Sequence, residues 1–393
     1  MNYNSNIAFS PGKLIHNLIF FTILFPFIPA LVKTTDTQPT FILLFILSLF
    51  YVLVNYNFQK NYYSLTYSRL YLAASIVPFL FMIIFITSIY IDRPILWTRV
   101  FSFFQFCAAI LFAYTTRYFM SERKFKNVLA VYILFTFIFF LGHGMVENIL
   151  IPSRSASFSN LSNMGRGAST LSPEPAFFAL HVFNLYIIFN LIFGQTVKPR
   201  KQFFVFIAVC FCLMTSLSGY GVLILFAIIL VRYLWPSLIS LAILFALSGF
   251  IIDFLSEYQQ FRAIGLLVKV ISSDPSILLS SDASIASRLG SFTAYLQSIK
   301  DNILIGDGFT LLQGGGFISL VSAMGVLAFL FLFLLFVYIL NYKGMPLRFR
   351  LLLFLWFFLN FFSGPIGIPT LGFIAGLIIR HRFNYESVKL IPF

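Results

Sequence analysis

The sequence predicts an all-α polytopic membrane protein of about twelve transmembrane helices (ten to twelve), with a large helical loop on its outer side. Three observations predict it. Of 393 residues, 60% are hydrophobic and only 10% are charged, whereas soluble domains average about 45–50% and about 25%. Fifty-four phenylalanines and a mean hydropathy of +0.95 exceed what a soluble fold of this size can hide, since such a fold covers its exterior with polar groups. Finally, apolar runs long enough to span recur along the chain, and the basic residues between them fall mostly on alternate sides. A disulfide scaffold, a disordered chain and a nucleic-acid binder are excluded.

About 20 apolar residues cross the hydrocarbon core as a helix. The predicted spans are 14–32, 40–56, 71–91, 95–115, 127–146, 174–193, 203–216, 219–232, 236–252, 317–340, 349–362 and 366–379. The first follows Lys13 and reads as an uncleaved helix rather than a signal peptide. The pairs 203–216/219–232 and 349–362/366–379 are short, with polar turns at Ser216-Leu217-Ser218-Gly219 and Ser363-Gly364-Pro365. Such turns dip below a membrane surface only where protein or a wet cavity surrounds them, so either pair can be re-entrant. The three cysteines, Cys107, Cys210 and Cys212, lie in apolar runs and read as small packing residues.

The chain divides into N-terminal helices (1–146), a loop (147–173), central helices (174–252), a large loop (253–316) and C-terminal helices with a tail (317–393). The net charge is +14. With both termini inside, the inner loops hold most of the Lys and Arg, in clusters such as Arg117, Arg123, Lys124, Lys126 and Lys198, Arg200, Lys201. The outer loops hold most of the acids. This bias in Lys and Arg sets orientation, so both termini are expected in the cytoplasm and the positive charge is read as topology and attraction to anionic membrane lipids.

The large loop shows helical periodicity. Apolar residues between 253 and 272 suit an interfacial helix, and Leu289, Phe292, Leu296 and Ile299 repeat at three to four residues. Asp282 or Ser284 can cap the second helix. The loop ends in Gly306-Asp307-Gly308-Phe309 and three further glycines.

Charges are almost absent from the helix centres, where they usually mark ion pathways. They collect at the outer surface instead. Glu174 opens a helix beside Pro175, a residue tolerated in a first turn. It is either an acid favoured by the helix dipole or a base or hydroxyl acceptor held at the water boundary. His181 lies two turns deeper on the same face, either orienting Glu174 or bonded to a neighbouring helix. Arg154, Arg166, Arg262, Lys269, Arg288 and Lys300 put cations on the outer side. Each alone fits a headgroup contact, and together they can hold a pyrophosphate, because arginine grips phosphate oxygens in bidentate fashion. Gly306 and Gly308 allow a backbone to approach a ligand closely. No metal-ligand set, Walker loop or cofactor motif is present, so no metal and no cofactor is expected.

Four features make the chain resemble the Wzy-type O-antigen polymerase and ligase superfamily of the bacterial inner membrane, over roughly residues 110 to 345. They are Arg166 with Ser172-Pro173-Glu174-Pro175; Thr215-Ser216-Leu217-Ser218-Gly219; Ser287-Arg288 followed by Ile299 to Phe309; and the large outer loop. The resemblance implies a GT-C-like fold and metal-independent, inverting glycosyl transfer on the periplasmic face. Substrates would be undecaprenyl-pyrophosphate-linked oligosaccharides, for O-antigen or capsule, and a chain-length regulator is a further possible partner. Arg166 and Arg288 would bind pyrophosphate, and Glu174 would engage the acceptor hydroxyl. One departure is Gly219 after Ser218, where the family commonly has arginine. Ligases usually carry histidine after the Gly-x-Gly-Phe stretch. Residues 310–317 have none, which favours polymerase over ligase. A transporter would predict inverted repeats and midplane carboxylates, and neither is seen.

Overall fold

The structure, a computed structural model, describes residues 17, 22–24, 42–44, 46, 97–115, 121–142, 172, 175–194, 196–216, 218–233, 293–297, 299–301, 303–304, 306–309, 316–341, 346–362 and 367–388. Over these the fold is helical, with no strand. The helices are α1 (Trp97–Thr115), α2 (Glu122–Gly142), α3 (Pro175–Phe193), α4 (Pro199–Thr215), α5 (Gly219–Arg232), α6 (Gly316–Met324), α7 (Val326–Leu340), α8 (Leu347–Phe362) and α9 (Pro369–Val388). Among the described residues, α3 is the one helix long and apolar enough to cross a membrane by itself; 99–114, 219–232, 326–340 and 369–380 are shorter apolar helices. The expected spans at 71–91 and 236–252, most of those at 14–32 and 40–56, and the expected helix at 253–272 lie outside the described residues.

Helix α3 is the central pillar. Nearly every side chain from Phe178 to Phe189 is buried, because α4, α5, α8 and α9 all pack around it. We call the end of the bundle where α3 starts the upper end. Arg232, at the end of α5, reaches Tyr186 of α3, so α3 and α5 run the same way. Helix α8 runs against α5. Arg348 at its start donates to the Arg232 carbonyl, and Tyr220 at the start of α5 donates to the Leu359 carbonyl near its end. The α4–α5 turn is capped by Ser218, whose hydroxyl accepts from the Gly221 amide at 2.9 Å, the N-cap bond that a serine supplies.

Helices α1 and α9 are joined along a seam of small residues. A Cβ on Gly372 would stand 2.6 Å from the Phe106 carbonyl oxygen, and one on Gly376 would stand 2.5 Å from that of Ile110. Ala109 and Ala113 line the other side. Two glycines four residues apart let the helix backbones approach to a distance that any side chain would prevent. Contacts advance along both helices together, so the two are parallel.

One predicted span is wrong. Residues 317–340 do not form a continuous helix, because the chain doubles back at Gly325. The Phe106 ring lies 6.0 Å from Phe317 and 6.2 Å from Phe331. Phe357 meets both Phe317 and Phe336, at 5.6 and 5.5 Å. In one straight helix, at about 1.5 Å per residue, rings fourteen or more positions apart would be separated by about 20 Å or more. Gly325 has φ +56, a left-handed value that a glycine reaches without a Cβ clash. Helix α6 therefore begins at mid-depth beside Phe317 and rises to the upper end, and α7 descends from there.

Candidate functional site

Of the polar segments that carry the sequence resemblance, the structure describes Ser172, Ser216, Ser218–Gly219, 303–304 and 306–309. The α3 start follows Ser172, which is buried. Ser218 caps α5, and Tyr220 reaches the Leu359 carbonyl, next to the Asn360 carbonyl on which Gly316 rests. The stretch from Ile303 to Phe309 sits on the corner between α6 and α7. Its anchor is local: the Asp307 amide donates to the Ser322 carbonyl at 2.8 Å, and Phe309 packs on Phe103 of α1 at 5.6 Å.

Both glycines of this stretch have left-handed backbones, with φ +77 at Gly306 and +63 at Gly308. The close approach at Gly306, expected toward a ligand, is made to helix α6. A Cβ there would lie within 2.6 Å of the Ala323 and Met324 backbone. On the other side of the corner, a Cβ on Gly325 would meet Ile303 and Leu304 at 2.7 Å. Loop and corner thus interlock through two glycines. Asp307 and Gly308 are buried with them. The preceding segment is helical at 293–297 and 299–301, where the Leu289–Ile299 periodicity predicts a helix, and Lys300 is exposed on it.

Below this corner lies a polar chain that fixes the depth of four elements. The Trp356 indole donates to Asn184 Oδ1 at 3.0 Å. The Asn184 amide donates to Thr370 Oγ1 at 3.3 Å. Thr370 in turn reaches His181 Nδ1 at 3.4 Å. His181 Nε2 faces the Ile23 carbonyl at 3.1 Å, and a carbonyl can only accept, so this nitrogen carries the proton and Nδ1 accepts from Thr370. Tyr132 lies 2.9 Å from the same nitrogen and donates to the carbonyls of Ile23 and Leu24 at 2.9 and 3.0 Å. Trp356, His181, Asn184 and Thr370 are fully buried. Every link has a donor and an acceptor, which is what buried polar groups require.

This chain places α9 as well. Thr370 is in its first turn, yet it meets the seventh and tenth residues of α3. Helix α9 thus starts well below the upper end, at the depth where α6 also starts. Both helices thus start within the bundle; α9 opens on Pro369, which has no amide, and its Leu371 amide donates to the Ile368 carbonyl at 3.1 Å. Gly316, the first residue of α6, packs on the Asn360 carbonyl so closely that a Cβ has no room.

Glu174, Arg154, Arg166, Arg262, Lys269 and Arg288 lie outside the described residues. His181 is bonded to neighbouring elements, one of its two expected roles. Sequence reading missed Tyr132, Asn184, Trp356 and Thr370. The signal was their polarity within apolar helices. It also missed the Gly372–Gly376 pair, a visible G-x-x-x-G. Among the described residues, no group of three His, Cys, Asp or Glu side chains is placed to hold a metal ion.

The lower end is basic. Arg123, Lys124, Lys126, Lys198, Arg200, Lys201, Arg232, Arg348 and Arg350 gather there, with Glu122 bonded to Lys126 and to Lys201 at 3.2 Å. These hydrogen bonds, that to Lys126 foremost, hold the Glu122 carboxyl below its usual range. Burial draws the Lys124 ammonium below its own.

No family model, curated protein or solved structure matches the chain.

Proposed function

We propose that the chain is a multi-pass membrane glycosyltransferase of about twelve spans. It joins undecaprenyl-pyrophosphate-linked repeat units at the outer face of a bacterial inner membrane, as a GT-C-like O-antigen or capsule polymerase. The observation that carries this reading is the start of α6 inside the bundle, where its first residue, Gly316, rests on the Asn360 carbonyl of α8. Half-helix N-termini in membranes suit anionic groups, and a diphosphate is the anion such a transfer must release.

The membrane setting is supported by the outward faces. Phe203, Phe204, Ile207, Phe226, Phe329, Phe333, Phe354 and Phe358 are exposed large apolar groups, which in water would form a patch far beyond that of a soluble monomer. The basic lower end is then the cytoplasmic one, and a chain-length regulator would pack against the helices. In the proposed mechanism Arg166 and Arg288 hold the pyrophosphate of the growing chain. Glu174 takes the proton of the acceptor hydroxyl, whose oxygen attacks the anomeric carbon. The carbon–oxygen bond to pyrophosphate breaks, and the lipid diphosphate leaves with that electron pair.

The test is chain extension by the purified protein in nanodiscs, supplied with a lipid-linked repeat unit. Arg166→Ala, Arg288→Ala and Glu174→Gln each abolish extension while folding is unchanged, and Arg288→Lys restores only part, since a point charge lacks the guanidinium fork. Normal polymer length in all three variants would overturn the assignment.

A further inference from the structure

At the lower end, α3, α4, α5 and α8 enclose a cleft of about 440 Å³, whose lining includes Tyr186, Asn190, Gln202, Arg232, Tyr233 and Arg348. It is far from the upper-end segments, and it does not rest on the glycosyltransferase reading.

The two arginines are positioned by different means. Arg232 stands in the last turn of α5, where the helix dipole favours a cation. Its guanidinium lies over the Phe206 ring at 4.3 Å and donates to the Tyr186 hydroxyl at 3.4 Å. Stacking fixes the plane of the fork and leaves its N–H edges for other acceptors. Arg348 donates one hydrogen bond, at 3.2 Å, to the Arg232 carbonyl. That bond ties the two residues together across the cleft mouth. A guanidinium has five N–H donors, and its bonds to described residues use part of that capacity.

No carboxylate among the described residues pairs with either arginine. Glu122, an acid of this end, is committed to Lys126 and Lys201. Gln202 is occupied as well: its amide nitrogen donates to the Gly194 and Val197 carbonyls, both at 2.8 Å, closing the α3–α4 turn. The Asn190 amide donates to the Tyr186 carbonyl at 2.7 Å. Among the described residues, the cleft therefore has polar walls and two cations with no counter-ion.

We propose that this cleft binds a phosphate group, held between Arg232 and Arg348. Bidentate guanidinium pairing suits phosphate oxygens, and basic pockets between helices on the cytoplasmic side suit anionic headgroups. The phosphate comes either from a phospholipid such as phosphatidylglycerol or from free phosphate.

The experiment uses the full chain purified in detergent, with native mass spectrometry for retained lipid and thermal shift for stabilisation. Phosphatidylglycerol, phosphatidylcholine and inorganic phosphate are added separately, then phosphatidylglycerol and phosphate together. Phosphatidylglycerol is expected to remain bound and raise the melting midpoint, with phosphatidylcholine doing neither. Arg348→Gln, at an exposed position, weakens retention at least about tenfold, the equivalent of one charge-assisted hydrogen bond, and Arg232→Gln does the same if it folds. Arg123→Gln and Arg200→Gln, exposed at the same end but outside the cleft, leave retention unchanged. Stabilisation by inorganic phosphate that displaces the lipid assigns the site to free phosphate; retention that phosphate does not disturb assigns it to the headgroup. Binding of neither probe, or equal loss in the two control variants, overturns the proposal.

Discussion

Helices α3 and α7 look alike in sequence and live in different surroundings. Both are apolar from end to end. Helix α3 is buried on all sides and carries His181 and Asn184 with no exposure at all. Helix α7 buries one stripe, Ala328, Leu332, Leu335 and Ile339, and turns Phe329, Leu330, Phe333 and Leu334 outward. Apolar composition thus reports an apolar medium without saying whether that medium is protein or its outer surroundings. The polar residues make the distinction. A histidine or asparagine at depth needs partners, and only a helix ringed by others can supply them.

The largest expected effect tests that contrast directly. Trp356→Ala removes a fully buried indole, packed on Phe317 at 5.8 Å, and leaves Asn184 Oδ1 without its donor. Loss of the ring costs about 3–5 kcal/mol, and the orphaned amide about 1–3 more. Phe333→Ala, on the outward face of α7, stays within about 0.5 kcal/mol. Thermal unfolding in detergent compares the two, and equal losses would break the distinction between pillar and rim.

The next test is the α1–α9 seam. Gly376→Leu forces a side chain into the Ile110 backbone and the Ala113 methyl. An overpacked contact of this kind costs about 1–3 kcal/mol or more, and Gly376→Ala costs less than Gly376→Leu. A neutral leucine variant would mean that the helices separate without penalty. Smaller again is Gly306→Ala. The left-handed backbone, at φ +77, and the approach to α6 make the substitution cost about 1–3 kcal/mol. It should loosen the loop first, so protease cleavage between 293 and 309 should rise before the melting midpoint falls far.

These variants also mark what could be read in advance. Helix positions at 97–115, 175–193, 199–215, 219–232 and 347–362 follow from apolar run length and flanking turns, and the structure places their ends within a few residues of expectation. The break at Gly325 could not be read that way. Phe317 to Leu340 is an unbroken apolar run, and one glycine inside it is compatible with either a straight or a doubled helix. What decides is tertiary: the Ile303–Phe309 loop needs a surface without a Cβ, and Gly325 supplies it. The same limit applied to His181. Its spacing from Glu174 pointed to one face of one helix, while its actual partners come from positions 23, 132 and 370. The gathering of basic residues at the lower end, by contrast, was legible because it depends only on which of these loops carry Lys and Arg.

The smallest effect belongs to a third environment, the water-facing lower end. Glu122, with a side chain 28% exposed, bonds Lys126 and Lys201. Its folded-state pKa is lowered, chiefly by the Lys126 hydrogen bond. A lowered carboxylate pKa contributes stability that is present above the unfolded value, about 4.3, and is lost as pH falls through the folded value. Glu122→Gln should therefore destabilise at neutral pH by no more than about 1 kcal/mol, as solvent-screened ion pairs do. The difference from the parent should shrink with added salt and vanish in acid. Melting midpoints of both proteins at neutral and acidic pH, with and without salt, measure this. A difference that persisted in acid would mean that Glu122 holds the α2–α4 contact through packing rather than charge, which would make the lower end more like the α3 interior than the α7 rim.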